Sequence, residues 1–75
     1  MAMTQRDNTN PYDDIQQLHK LADAGDAEAL YRLGLRYSQG DGVIRDAVIG
    51  SRLLYLASQR GHTDAERALD AWWGD

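Results

Sequence analysis

The chain contains no cysteine, which removes disulfide frameworks, thiolate zinc sites and cysteine nucleophiles from consideration. No apolar run approaches the ~20 residues that a membrane-spanning helix needs. Residues 1–10 are polar and lack the apolar stretch of a signal peptide, so a cytoplasmic location is expected. No stretch alternates apolar and polar residues over a useful length, so no sheet is expected. Basic residues are in deficit, 8 against 12 acidic for a net charge of −4. That disfavours nonspecific binding to nucleic acid or to an anionic membrane, where neutralising phosphates dominates affinity. What remains is 75 residues, 43% of them hydrophobic. This is enough for one small soluble domain near the lower size limit for a self-sufficient core.

The charge is unevenly spread. Residues 1–31 carry Arg6 and Lys20 against Asp7, Asp13, Asp14, Asp23, Asp26 and Glu28. Residues 32–60 carry Arg32, Arg36, Arg45, Arg52 and Arg60 against only Asp41 and Asp46. Residues 61–75 carry Arg67 against Asp64, Glu66, Asp70 and Asp75. A basic middle between acidic ends fits mutual neutralisation within one fold, with partner steering as the alternative.

Helical periodicity runs through most of the chain. Residues 1–9 have no period and are expected to form a flexible tail, leaving 10–75 as a single domain. Asn10-Pro11 reads as an N-cap followed by a proline at the first helical position, with Asp13 and Asp14 in the first turn and Ile15, Leu18, Leu21 and Ala22 on the apolar face. Gly25 suits the left-handed residue that closes a helix. Asp26 caps a second helix with Ala29, Leu30, Leu33, Gly34 and Tyr37 in one stripe. The stretch 38–42 is rich in turn residues. Asp46 caps a third helix with Ile49, Leu53, Leu54 and Ala57 as its buried side, and Gly61 ends it. His62 or Thr63 precedes a fourth helix carrying Ala65, Ala68, Leu69, Trp72 and Trp73.

Sliding the chain by 36 residues pairs the first helix with the third and the second with the fourth. Asn10 falls on Asp46, Leu18 on Leu54, Gly25 on Gly61, Ala29 on Ala65, Leu33 on Leu69 and Tyr37 on Trp73. Two helices per unit and a period in the thirties imply a helical solenoid. Ala29, Leu33-Gly34, Tyr37, Gly40, Gly42-Val43 and Asp46, continued by Leu53-Leu54, Ala57, Gly61, Ala65 and Leu69, resemble the Sel-one-like repeat, a relative of the tetratricopeptide repeat. The loop Gly40-x-Gly42-Val43 followed by Asp46 is the specific part, and the resemblance covers residues 15–73. Gly50, Leu53 and Asp70 depart from the family's usual Ala, aromatic residue and Gly. The resemblance implies an all-α fold, a short right-handed α-α solenoid of about four helices in two antiparallel pairs. Glu66 and Asp70 fall on Leu30 and Gly34, placing charge where a further repeat would pack. A terminal cap and a complete small protein are therefore expected.

No catalytic constellation emerges. His19 and His62 are far apart and lack a partnering nucleophile motif, and a structural role is expected for both. Asp23, Asp26 and Glu28 lack a calcium-loop pattern, and residues 39–42 are too short for a phosphate loop and lack its lysine. Hence no enzyme activity, metal, cofactor or small-molecule substrate is expected. A helix-turn-helix DNA reader is disfavoured by the long, glycine-rich connection at 38–45.

The resemblance instead implies a surface for another protein, lined by the second and fourth helices. Off their core stripes lie Tyr31, Arg32, Leu35, Arg36, Arg67, Ala68, Ala71 and Trp72. Of these, Tyr31, Arg32, Leu35, Arg36, Arg67 and Trp72 are the candidate partner contacts, since Tyr, Trp and Arg dominate interface energetics. An adaptor or scaffold is the leading expectation, and a small stand-alone inhibitor is the alternative. Trp73 matches Tyr37 and should point inward. Trp72 matches Arg36 and should form an exposed patch serving a homodimer or a partner site.

Overall fold

A computed structural model describes the backbone of residues 10–73 and the side chains of residues 10–71. The expected tail at 1–9 and the expected placements of the Trp72 and Trp73 side chains lie outside the described residues. The described chain is all-α: a single 3₁₀ turn, Pro11–Asp13, then α1 (Ile15–Asp23), α2 (Ala27–Gln39), α3 (Ala47–Gln59) and α4 (Thr63–Trp73). Each helix packs on its neighbour in the chain, and the α2–α3 contact is the most extensive. None of the described helices is long and apolar enough to cross a membrane.

The helix boundaries follow the side chains that cap them. Asp26 Oδ1 accepts from the Ala29 N–H at 3.1 Å, and Asp46 Oδ1 accepts from Val48 and Ile49 N–H at 3.0 and 3.1 Å. These bonds satisfy amides that have no intrahelical acceptor. α1 and α3 end alike. Gly25 N–H donates to Ala22 O and Asp26 N–H to Leu21 O; 36 residues on, Gly61 N–H donates to Ser58 O and His62 N–H to Ala57 O. This is the paired-bond ending that requires a left-handed residue, and both glycines sit at positive φ, 92° and 85°. Gly40 and Gly42 also sit at positive φ, 75° and 80°.

The start of the first helix differs from the expectation. Asn10 does cap, accepting from the Tyr12 N–H at 2.8 Å, but the turn it caps is 3₁₀ and stops at Asp13. Asp14 is extended (φ −95°, ψ 119°), and its carboxylate accepts from the Gln16 N–H, starting α1 afresh. A short acidic side chain offers the backbone a local hydrogen bond that competes with helix continuation, and Asp14 takes it. α1 is therefore only 9 residues long, against 13 for α3.

The core is one cluster: Leu18 and Ala22 from α1, Ala29, Leu30 and Leu33 from α2, Leu54 and Ala57 from α3, and Ala65 from α4. Its centre is set by two glycines. A Cβ on Gly34 would stand 2.9 Å from Leu54 Cγ and 3.0 Å from the Gly50 carbonyl oxygen; one on Gly50 would stand 2.9 Å from the Gly34 oxygen and 3.0 Å from the Ser38 nitrogen. The two backbones thus meet directly at Gly34 and Gly50. The row Gly50, Leu54, Ala57 faces α2. Ile49, expected in the core, is 40% exposed, because its position lies ~100° around the helix from Gly50.

Candidate functional site: an apolar groove and a polar network

Two features stand out around α2. The first is an open groove of about 670 Å³ between the C-terminal half of α2 and the N-terminal half of α3, reaching α4 at Ala68. Leu35 and Ala68 supply apolar surface over the buried Leu54, Ala47 and Val48 continue it, and Arg45 is the one charged residue among the described residues of its lining. Val48 is 71% exposed, and Ile44, next to Arg45 in the chain, is 89% exposed. The Arg45 guanidinium donates to the Ser38 carbonyl oxygen at 3.1 Å.

The second is a closed polar network joining the 3₁₀ turn, α2 and the start of α4. Asp26 Oδ2 accepts from the Tyr12 hydroxyl at 3.0 Å while its other oxygen caps α2. The Arg32 guanidinium lies 5.1 Å from the centre of the Tyr12 ring and donates to Glu28 Oε2. Glu28 Oε1 contacts His62 Nε2 at 2.6 Å. The His62 ring stacks on Tyr31 with centroids 4.4 Å apart. The hydrogen bond from Arg32, then that from His62, hold the Glu28 carboxyl below its usual range, and the bond to Glu28 raises Arg32. Hydrogen bonding to the Asp26 carboxylate, then partial burial, raises the Tyr12 phenol.

The candidate partner contacts are divided between these features. Leu35 lines the groove. Tyr31 is committed to His62 and Arg32 to Glu28 and Tyr12. Arg36 donates to the Asp13 carbonyl oxygen at 3.2 Å and lies 3.9 Å from Asp41. Arg67 is exposed on α4, 3.8 Å from Asp64. Trp72 lies on α4 one turn past Ala68, with its side chain outside the described residues. Of the groove residues on α3, Leu54 was expected in the core, and Ala47, Val48 and Ser51 were not singled out from sequence. Val48 was the available signal, an apolar residue off the stripe in the first turn of α3.

His19 is exposed with its edge on Tyr37, ring centroids 6.2 Å apart. Among the described residues no three His, Asp or Glu side chains gather as metal ligands would. Comparison with protein-family models, curated proteins and solved structures gives no match for this chain.

Proposed function

We propose that this chain is a non-catalytic protein-binding module of the Sel-one-like kind, an adaptor or scaffold that holds an apolar segment of a partner protein in the α2–α3–α4 groove. The observation that supports this reading is the groove itself, with apolar walls and Val48 standing 71% exposed in its lining. Exposed apolar surface gathered in a concavity favours association, whereas scattered single residues do not. Arg45 at the lining supplies a point for a partner carboxylate and so an orientation. Tyr31, Arg32 and Arg36, engaged within the chain, serve in this reading to hold the groove's walls and not to touch the partner.

The test is affinity capture from cells of the source organism with the wild type and with Val48→Asp, both checked for helicity by circular dichroism. The expected result is a defined protein retained by the wild type and lost with the variant. Equal capture by both folded proteins overturns the groove as the binding surface. An enzyme as the captured protein, inhibited on binding, would favour the inhibitor over the adaptor.

A further inference from the structure

His62 stands at the N-cap position of α4, 36 residues after Asp26, the cap of α2. Its ring makes two hydrogen bonds of opposite sense. Nδ1 lies 3.2 Å from the Ala65 nitrogen, whose N–H donates to it. A backbone amide only donates, so Nδ1 must carry a lone pair, and the ring proton resides on Nε2, directed at Glu28 Oε1. The arrangement requires neutral imidazole in a single tautomer.

We infer that His62 is a proton-sensitive latch on the start of α4, closed when the ring is neutral and opened when it is protonated. The added proton goes to Nδ1. Both nitrogens of the cation are donors, so no rotation of the ring restores an acceptor for Ala65. The contact with Glu28 persists as an ion pair, and Glu28 remains a carboxylate through the range in which imidazole titrates, because Arg32 and His62 depress it. Protonation therefore breaks one bond and keeps the other. Ala65 is fully buried, and an amide left there without an acceptor is costly, so the first turn of α4 must open to reach water.

The charged groups on the elements around the ring are mixed in sign. α2 presents Glu28 and Tyr31, with Arg32 sharing Glu28; Tyr12 of the 3₁₀ turn lies against Arg32. α4 carries Asp64 and Glu66 in its own first turn, and Arg60 precedes at the end of α3. Only the neutral ring supplies the cap.

Because α4 contributes Ala68 to the groove, opening the latch also loosens that surface. This consequence rests on the binding reading above, whereas the latch does not. The experiment is nuclear magnetic resonance on the full chain. Long-range ¹H–¹⁵N spectra of His62 at pH 7.5 are expected to show the Nε2–H tautomer, a measurement that needs no variant. Between pH 7.5 and pH 5, exchange protection of the Ala65 amide should fall about fivefold relative to the Ala29 amide, the loss expected for a cap. His62→Asn, which caps without titrating, should abolish that difference. An Nδ1–H tautomer in the neutral protein, or Ala65 and Ala29 protection moving together, overturns the latch. Partner capture that ignores pH while Ala65 responds discards only the link to the groove.

Discussion

The helix that follows Asp26 and the helix that follows His62 occupy matching places in the chain, yet they are held very differently. α2 lies between α1 and α3 and buries Ala29, Leu30, Leu33 and Gly34. α4 packs chiefly on α3, and Ala65 is its fully buried residue among those described. Their caps differ in the same direction. Asp26 is a carboxylate whose two oxygens are both engaged, one by its own helix and one by Tyr12. His62 is an imidazole whose capping atom is also its protonation site. An enclosed helix capped by a carboxylate and a peripheral helix capped by an imidazole are the two halves of one fold. Local stability within a small protein varies with burial and contact density.

Substitutions can break or sharpen that contrast. The largest effect is expected from Leu54→Ala, which empties a fully buried site where α3 meets α2. It should cost about 2–5 kcal/mol by thermal or denaturant unfolding, and Leu69→Ala on α4 should cost clearly less. Equal losses would contradict the placement of the core on α2 and α3. Gly50→Ala follows, at about 1–3 kcal/mol, because the new methyl meets Gly34 and Ser38 backbone atoms that cannot step aside. A stabilised Gly50→Ala protein would refute the direct backbone contact.

Caps come next. Asp26→Ala should cost about 1–2 kcal/mol, since it removes both the α2 cap and the acceptor of Tyr12. Denaturant unfolding of the variant checks this, and a loss within about 0.3 kcal/mol of zero would contradict the cap. The smallest effect concerns acid. The folded-state pKa of Glu28 is depressed by Arg32 and His62, so its stabilising contribution is present above the unfolded value and is lost as pH falls through the folded value. Glu28→Gln should therefore melt below the wild type at pH 7, with the gap closing below the carboxylate range. A gap that persists at pH 2 would mean that packing, not charge, explains it.

Much of the fold was legible in the sequence because its determinants are local. Asp26 and Asp46 cap, Gly25 and Gly61 terminate, and the stripe from Ala29 to Gly34 is buried, all from spacing and side-chain type. Asn10 was read correctly as a cap but for the wrong helix. The choice between continuing a turn and restarting at Asp14 is a small local difference that periodicity does not register. The candidate site was less legible. Tyr31, Arg32 and Arg36 have the residue types of interface anchors, but stacking on His62, pairing with Glu28 and bonding to the Asp13 carbonyl engage them within the chain. Those partners lie 4 to 31 positions away in sequence.

The sequence by itself determined four helices, their order, the caps Asp26 and Asp46 and most of the buried residues, because 3.6-residue periodicity and capping act within a single element. Tertiary structure alone decided which residues form the groove and which form the network. Gly34 and Gly50 bring two backbones together at one crossing, and that crossing sets the rotation of α3. The rotation turns Ile49 outward and places Val48 along the groove.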